Sequence, residues 1–388
     1  MNPRSRRICL AALALSGVTG CGGGLTLTRI KSVENRPSNV AVYFKVQGSN
    51  GDPVGGITAG QFRIFEDGAL VSQFESKQTI LNPEVAAAHY TLLLVDMSGS
   101  VSSDPAAVES LVAAAGSFTE RVGASHKVAV YAFDGSPDLH PIVPFTNGAT
   151  AKAGVSTLAH FKPGDPSTNL NGAVIKGLGE LDRAVAQSEQ AMRFGTLVVF
   201  SDGTDRAARV PKQVMRKAVE DSKYDVFAIG LGAEMQESEL KDVGKSGTAR
   251  ADDKSSVVKA FETIGARIEG VTRSYYLLSY CSPARAEKHE VRIEAVVKEA
   301  DGKGERTGSL TSAFDAAGFV PGCDPNQRPN FDLSKGDALA PKKEEPRDKK
   351  DRPKAPPPHP RSPAPSSPPP PSPSPPPAPS PGREEFNP

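Results

Sequence analysis

Three oxygen-bearing side chains follow one apolar stretch of the sequence at alternate positions. The stretch is TLLLV (91–95), and Asp96, Ser98 and Ser100 come after it. Carboxylate and hydroxyl oxygens are ligands for hard divalent cations, and Mg²⁺ takes six such oxygens, some of them from water. These three residues are therefore candidate metal ligands.

A second carboxylate and a third hydroxyl occur further along the chain. Asp202 follows the apolar run TLVVF (196–200), and Thr168 lies in the turn-rich segment GDPSTNLNGA (164–173). Two carboxylates that share a crevice repel each other unless a cation, a proton or a basic group separates them. A divalent cation balances both charges, the hydroxyls supply neutral oxygens, and an open position on the ion can take a carboxylate from a partner.

These residues can meet only if the strands before them are neighbours in one sheet. Apolar strand-like runs alternate with helix-like runs, which is typical of a largely parallel sheet covered by helices on both faces. In the doubly wound order 3-2-1-4-5, the strands that end at Asp96 and Asp202 lie side by side where the order reverses, and ligands bind in that crevice. The expected strands are 91–96, 127–133, 140–145, 196–200 and 225–231, and the expected helices are 105–121, 171–190, 211–222 and 255–269.

Five of these residues together resemble the metal-ion-dependent adhesion site of von Willebrand factor type A (vWA) domains. They are Asp96, Ser98, Ser100, Thr168 and Asp202. The resemblance covers roughly residues 88–270, and all five positions of the motif are filled in the family's order. It implies a Rossmann-like α/β fold that binds a divalent cation, with Mg²⁺ expected first and Mn²⁺ or Ca²⁺ as alternatives.

The resemblance also implies a part for each ligand and a kind of partner. Ser98 and Ser100 would be direct ligands, and Thr168 a direct or water-mediated one. Asp96 and Asp202 would act through water or alternate as ligands. The expected partner is a protein that presents Asp or Glu to the ion.

Two other interpretations of the motif remain open. The serines could cap the next helix, although Ser102, Ser103 or Asp104 could do so without Asp96 or Ser98. Alternatively, an aspartate that ends a first strand resembles the nucleophile of haloacid-dehalogenase-like phosphatases. Those enzymes carry a second aspartate where this chain has Ser98, so the general acid is missing.

No other enzyme motif is complete. The chain has no Gly-x-Ser-x-Gly elbow, and VGKSGT (243–248) lacks the first glycine of a phosphate loop because Glu239 stands there. That segment is expected to be a helix-ending turn, and RADDKSS (250–256) is expected to cap the last helix. The six histidines are scattered without metal-ligand spacing. We therefore expect a protein that is not an enzyme.

Alternating apolar residues on both sides of the vWA-like region predict further strands. Val40, Val42, Phe44 and Val46 alternate before it, and residues 290–297 alternate after it. Neither segment has enough strands to close a core, so we expect the two to pair into one sandwich with the vWA-like region inserted between them. The stretch GITAGQFRIFEDGALVSQF (56–74) resembles the β domain that precedes the vWA domain in a group of bacterial exported proteins, and the strands after residue 272 resemble the closing β segment of those proteins.

The first twenty residues resemble an export signal. Three arginines precede the apolar run at 8–18, which spans 11 residues, fewer than the ~20 needed to cross a bilayer. VTGC (18–21) resembles the lipobox of bacterial lipoproteins, which implies a lipid on Cys21 and attachment to a membrane through it. An ordinary secretory signal with a stray cysteine is the alternative.

The cysteine count agrees with a lipid on Cys21. Cleavage before Cys21 leaves three cysteines, and lipidation leaves one pair, Cys281 and Cys323. Disulfides persist in exported proteins, so we expect this pair to be bonded. Two free buried thiols are the alternative.

Composition limits the kinds of partner and sets apart one end of the chain. The 388 residues include 46 basic and 45 acidic ones, so the balance of charge does not favour nucleic acid or an anionic membrane surface as a partner. Residues 353–388 hold 18 of the 35 prolines. Such a segment cannot form a core, and it could be a spacer, a ligand for a proline-binding partner or a plain solvated tail.

The expected organisation and function follow from these features. We expect a lipid-anchored binding protein of the bacterial cell envelope, on the periplasmic face or the cell surface. A structural or assembly component of the envelope, in which the metal never exchanges ligands, is the alternative. The expected segments are a signal peptide (1–20), a lipidated tether (21–27), an N-terminal β segment (28–85), a vWA domain (88–270), a C-terminal β segment (272–325) and a disordered tail (326–388).

Overall fold

The computed structural model describes residues 24–83, 86–232, 235–298 and 304–331. Its strands are β1 (Leu25–Asn35), β2 (Asn39–Gly48), β3 (Phe62–Glu66), β4 (Ala69–Leu70), β5 (Thr79–Leu81), β6 (Ala87–Asp96), β7 (Lys127–Phe133), β8 (His140–Thr146), β9 (Met192–Ser201), β10 (Asp225–Leu231), β11 (Gly247–Ala251), β12 (Tyr275–Cys281), β13 (Lys288–Lys298) and β14 (Glu305–Asp315). Its α-helices are α1 (Gly99–Ser102), α2 (Pro105–Val122), α3 (Gly148–Val155), α4 (Leu170–Ala186), α5 (Lys212–Asp221), α6 (Glu237–Val243) and α7 (Val257–Arg273). The expected signal peptide, Cys21 and the tail beyond Phe331 lie outside the described residues.

A six-stranded sheet, the central sheet, has the order β11-β10-β9-β6-β7-β8. All its neighbouring strands are parallel except β7 and β8. The predicted doubly wound, largely parallel sheet is therefore confirmed, and β11 adds a sixth strand beside β10. The sequence did not predict β11 because GTARA has no apolar alternation and only its last residue, Ala251, is buried.

Helices cover both faces of the central sheet. Leu93 and Val95 of β6 pack in a cluster with residues of α2, α3 and α7, while Leu92 and Leu94 pack on the opposite face with residues of α4, α5 and α6. Successive side chains of a strand point to opposite faces, so an uninterrupted apolar run is needed where both faces are buried. The four predicted helices correspond to α2, α4, α5 and α7, whose ends differ from prediction by up to four residues.

The segments before and after the central sheet form one β-sandwich, as predicted. Its sheets have the orders β1-β2-β12-β5 and β14-β13-β3-β4. Each sheet pairs strands from both segments, since Val42 of β2 lies opposite Leu278 of β12 and Ile64 of β3 lies opposite Ile293 of β13. A shared apolar core fills the space between the two sheets. Neither segment could make this core alone.

An aromatic junction joins the sandwich to the central sheet. It consists of Tyr43 on β2, His89 on β6, Phe194 on β9 and Tyr275 on β12. The ring centroids of Phe194 lie 6.1 Å from Tyr43, 4.9 Å from His89 and 4.8 Å from Tyr275. The junction lies near the N-terminal ends of β6 and β9, so the C-terminal ends of these strands face away from the sandwich.

The C-terminal part of the described chain is tied to the sandwich. Cys281 and Cys323 form a disulfide. Ser279 Oγ donates a hydrogen bond to the backbone oxygen of Pro325 at 2.7 Å. Phe331 is buried in a cluster with Tyr43, so the packed chain extends beyond the predicted boundary at residue 326. The boundary was predicted from composition, because the chain beyond it is rich in proline and charge. One aromatic residue such as Phe331 does not change that composition.

Among the described residues, no helix is both long and apolar enough to cross a membrane.

Candidate metal centre

Asp96 is the last residue of β6, and its side chain is completely buried. Its Oδ2 accepts a hydrogen bond from Ser201 Oγ at 2.6 Å, and its Oδ1 accepts one from the Ser98 backbone N–H at 2.9 Å. Burial and the negative charge of Asp202 raise the pKa of Asp96 to about 7, although the hydrogen bonds from Ser201 and Ser98 oppose this rise. A positive charge beside this carboxyl would stabilise its ionised form.

The two serine hydroxyls connect the two strand ends. Ser98 Oγ lies 3.2 Å from Ser100 Oγ, and Ser100 Oγ donates a hydrogen bond to Asp202 Oδ1 at 3.0 Å. Ser98 is buried, whereas Ser100 is exposed. The oxygens therefore form a continuous path from the interior to the surface.

Helix capping does not explain these serines. Ser98 stands at the N-cap of α1, yet its side chain makes no capping hydrogen bond. The cap of α2 is Asp104, whose Oδ1 accepts hydrogen bonds from the backbone N–H groups of Ala106 and Ala107. The Ser98 hydroxyl therefore faces Ser100 rather than a helix terminus.

Asp202 follows β9, which lies beside β6 in parallel. Val95 and Phe200 are partners in the register of these strands, so Asp96 and Asp202 emerge at the same edge of the sheet. Asp202 is partly buried. The predicted meeting of two carboxyl groups at the point where the strand order reverses is thus present in the structure.

Thr168 lies in a segment that we name the threonine loop (residues 164–169), and its side chain is buried. The backbone oxygen of Thr168 accepts hydrogen bonds from the N–H groups of Arg206 and Ala207, each at 2.9 Å. The backbone oxygen of Pro166 accepts one from the Gly99 N–H at 2.8 Å. The threonine loop is therefore bonded to the segments that follow both Asp96 and Asp202.

A third strand-ending aspartate, Asp134, was not among the predicted site residues. It follows β7 and is completely buried. Burial alone would raise its pKa, but hydrogen bonds from Ser136, Asp165 and Gly164 outweigh burial and hold the pKa of Asp134 below its usual value. The signal was present in the sequence, since YAFDGS (131–136) repeats the pattern of LLVDMS (93–98), a strand followed by aspartate and, two positions later, by serine.

The donor set fits a hard divalent cation. Two carboxyl groups and serine hydroxyls converge, and neither thiol nor imidazole takes part. Among the residues that the structure describes, no group of three or more His, Cys, Asp or Glu side chains is arranged to hold a metal. A cation at this site would therefore depend on hydroxyl and water oxygens as well as on carboxylates, which is the usual environment of Mg²⁺.

The buried histidines lie elsewhere, near the aromatic junction. His126 Nδ1 lies 2.7 Å from Thr91 Oγ1, and its Nε2 lies 2.8 Å from Thr272 Oγ1. The ring of His126 stacks on that of His89, with centroids 4.8 Å apart. Both ring nitrogens of His126 therefore have hydroxyl partners.

Comparisons with protein-family models and with curated proteins find no match. Among solved structures, the chain is similar to proximal thread matrix protein 1 from the mussel byssus, with 14% identity and a TM-score of 0.40 over 47% of this chain and 48% of that one. It is similar to a von Willebrand factor type A protein from Catenulispora acidiphila, with 11% identity and a TM-score of 0.39 over 80% and 76% of the two chains. It is also similar to the vWF domain of the type V pili tip protein Mfa5 from Porphyromonas gingivalis, with 12% identity and a TM-score of 0.36 over 48% and 97%. The match spans about half the length of the mussel protein.

Proposed function

We propose that this chain is an exported, lipid-anchored binding protein that uses a divalent cation to hold an acidic residue of a protein partner. One observation supports the proposal most. Asp96 and Asp202 emerge from neighbouring parallel strands, and the hydroxyls of Ser98 and Ser100 lie between them. Such a cluster of oxygens, with two carboxyl groups in one crevice, favours a cation.

Each residue has a separate part in the proposed site. Ser98 and Ser100 offer hydroxyl oxygens, and Thr168 offers a third from the threonine loop. Asp96 and Asp202 balance the charge of the ion, directly or through water. A bound Mg²⁺, Mn²⁺ or Ca²⁺ supplies a Lewis-acidic position that a carboxylate of the partner can fill.

The exposure of the site favours ligand exchange over a permanently closed metal. Asp96 and Ser98 are buried, but Ser100 is exposed and Asp202 is partly so. One side of the cluster therefore faces solvent, where a partner can approach. A purely structural metal site is expected to be closed on all sides, by analogy with structural zinc sites.

In this proposal the chain is a binding module and not an enzyme. A phosphatase of the type considered above needs a carboxylic acid two residues after the first aspartate, and Ser98 stands there. Location in the bacterial envelope and lipid on Cys21 are proposed from the N-terminal sequence alone.

Calorimetric titration of Mg²⁺ and Mn²⁺ into the full chain tests the cation site. We expect wild type to bind a single equivalent, and Asp96→Ala and Ser98→Ala to bind about 10-fold more weakly or not at all. Ser102→Ala is the matched control, because it removes a hydroxyl from the same helix, α1, outside the oxygen cluster. A wild type that binds neither cation contradicts the proposal.

A small carboxylate tests whether the cation has an exchangeable position. With Mn²⁺ in the site, glutarate that enters the coordination sphere should show broadened proton signals in NMR spectra, and EDTA should reverse the broadening. If Mn²⁺ binds but glutarate signals stay sharp, the site is a fixed structural one. That result would favour the envelope-assembly alternative.

A further inference from the structure

The threonine loop is hydrogen-bonded to the segments that follow β6, β7 and β9. Its Pro166 oxygen accepts a hydrogen bond from Gly99, and its Thr168 oxygen accepts two from Arg206 and Ala207. Two further backbone bonds join the loop to the segment after β7. The Gly135 N–H donates to the backbone oxygen of Asp165 at 3.0 Å, and the Asn169 N–H donates to the backbone oxygen of Asp134 at 3.0 Å.

The side chain of Asp134 joins its own segment to the start of the threonine loop. Its Oδ2 accepts hydrogen bonds from the N–H groups of Gly164 at 2.7 Å and Asp165 at 3.3 Å. Its Oδ1 accepts one from the Ser136 N–H at 2.7 Å. Both oxygens of one buried carboxylate are thus occupied by backbone donors from two segments.

Close packing leaves little freedom between these two segments. A Cβ atom added at Gly135 would lie 2.1 Å from Ser167 Oγ and 2.5 Å from Asp165 Oδ1. Arg209 spans the same contact, since its Nε donates to the Gly135 oxygen at 2.6 Å and its Nη2 donates to Asp165 Oδ2 at 2.9 Å. We therefore expect loss of the Asp134 hydrogen bonds to loosen the threonine loop beyond Gly164 and Asp165.

We propose that Asp134 is a positioning residue, which holds the threonine loop, and with it Thr168, against the metal site before any cation binds. The consequence for cation affinity rests on the proposed function, whereas the effect on the loop does not. A carboxylate suits this task because it accepts hydrogen bonds at both oxygens, whereas the amide of asparagine accepts at only one. The ordering of the loop is then complete before binding, so the cation does not have to supply it.

Amide hydrogen exchange in the presence of EDTA tests the effect on the loop. In Asp134→Asn, we expect the Gly164 and Asp165 amides to exchange at least about 10-fold faster than in wild type, because a lost hydrogen bond to a charged group costs about 1.5–3 kcal/mol. Asp138→Asn is the matched control, since Asp138 is exposed and pairs with Lys176 on the surface. Equal protection of the loop amides in wild type and Asp134→Asn would overturn the proposal.

A double-mutant cycle on Mg²⁺ affinity tests whether Asp134 acts through Thr168. We expect Asp134→Asn to weaken Mg²⁺ binding by about 10–100-fold, as for other residues that orient metal ligands. Added to Thr168→Val, it should cost little more, because the ligand that it positions is already absent. Additive losses would mean a general structural role and would overturn the proposal.

The two measurements separate the failure of this proposal from failure of the proposed function. If wild type binds no Mg²⁺ but Asp134→Asn loosens the loop, the metal function is wrong while the positioning of the loop stands. If Asp134→Asn does not fold, Arg209→Gln replaces it, because Arg209 joins the same two segments from the surface. Arg209→Gln should then speed exchange in the threonine loop and show the same dependence on Thr168.

Discussion

The two carboxyl groups of the candidate site have different environments. Asp96 is completely buried and accepts hydrogen bonds from Ser201 and from the Ser98 backbone, whereas Asp202 is partly exposed and accepts one from Ser100. Burial therefore makes ionisation of Asp96 costly when no cation is present. Asp202 and Ser100 are the members of this cluster that solvent can reach.

The stability of the metal-free protein should reveal the cost of ionising Asp96. Its pKa is about 7 in the folded state and about 3.9 in an unfolded chain, so the folded state binds more protons between these values. Stability contributed by that proton is present at low pH and is lost as pH rises through about 7. Asp96→Asn has no such loss, so its stability relative to wild type should be greater at pH 8 than at pH 6 by about 1 kcal/mol.

Urea denaturation of both proteins in EDTA measures this difference. The comparison between two pH values cancels the fixed cost of the amide and the titration of all other groups. Saturating Mg²⁺ should remove most of the wild-type loss at pH 8. An identical stability difference at both pH values would contradict a folded-state pKa of about 7 for Asp96.

At the scale of elements, the site depends on how closely helices approach the central sheet. Gly177 of α4 faces the sheet, and a Cβ atom there would lie 2.8 Å from Leu94 Cδ1 and 3.1 Å from Leu197 Cδ1. Both leucines are completely buried and have little room to move. Gly177 therefore lets α4 pack closely on β6 and β9, the strands that lead to the two aspartates. Because α4 begins directly after the threonine loop, this packing also positions the loop.

Two glycines of α4 should respond to alanine with opposite signs. Gly177→Ala should destabilise the protein by about 1–3 kcal/mol, because overpacking against Leu94 outweighs the gain in helix propensity. Gly179→Ala should stabilise it by up to about 1 kcal/mol, since nothing lies within 4 Å of the added Cβ. Thermal denaturation of both variants checks this pair. Equal effects of the same sign would mean that α4 does not sit as closely as described.

At the scale of the molecule, the candidate metal centre and the aromatic junction lie at opposite ends of β6. His89 and Asp96 are separated along the strand by roughly 23 Å, at about 3.3 Å per residue. The sandwich therefore packs against the edge of the central sheet that carries the N-terminal ends of β6 and β9, and the candidate metal centre lies at the opposite edge. Cys21, the proposed site of a lipid, lies four residues before β1, the first strand of the sandwich. A lipid there would therefore be attached next to the sandwich in the sequence.

The buried histidines at the junction predict acid sensitivity of the whole molecule. Burial lowers the pKa of His89 to about 4, and burial together with the charge of His89 lowers the pKa of His126 to about 3. An unfolded histidine has a pKa of about 6.5, so the unfolded state binds more protons below that pH. Stability is therefore full above about 6.5 and falls as pH decreases toward 4.

Urea denaturation at pH 7 and pH 5 measures this loss. His89→Phe keeps a ring against Phe194 but cannot bind a proton, so it should lose about 2 kcal/mol less than wild type between the two pH values. His160→Gln is the control, because it removes an exposed histidine far from the junction along the chain. A pH dependence of His89→Phe equal to that of wild type would exclude His89 as its source.

The sequence by itself determined the parallel character of the central sheet, the neighbouring positions of Asp96 and Asp202, and the pairing of the two flanking β segments. These features could be predicted because they depend on local patterns, namely uninterrupted apolar runs, alternating apolar residues and the residue type that follows each strand. The same patterns failed for α3, which consists mostly of small residues, and for β11, which has one buried side chain.

Only the tertiary structure decided which other residues support the site. The hydrogen bond between Ser100 and Asp202 joins residues 102 positions apart, and that between Asp134 and Gly164 joins residues 30 positions apart. The contact of Phe331 with the aromatic cluster around Tyr43 likewise depends on strands from distant parts of the chain. No local pattern encodes such contacts, because they exist only after the strands have taken their order in the sheet.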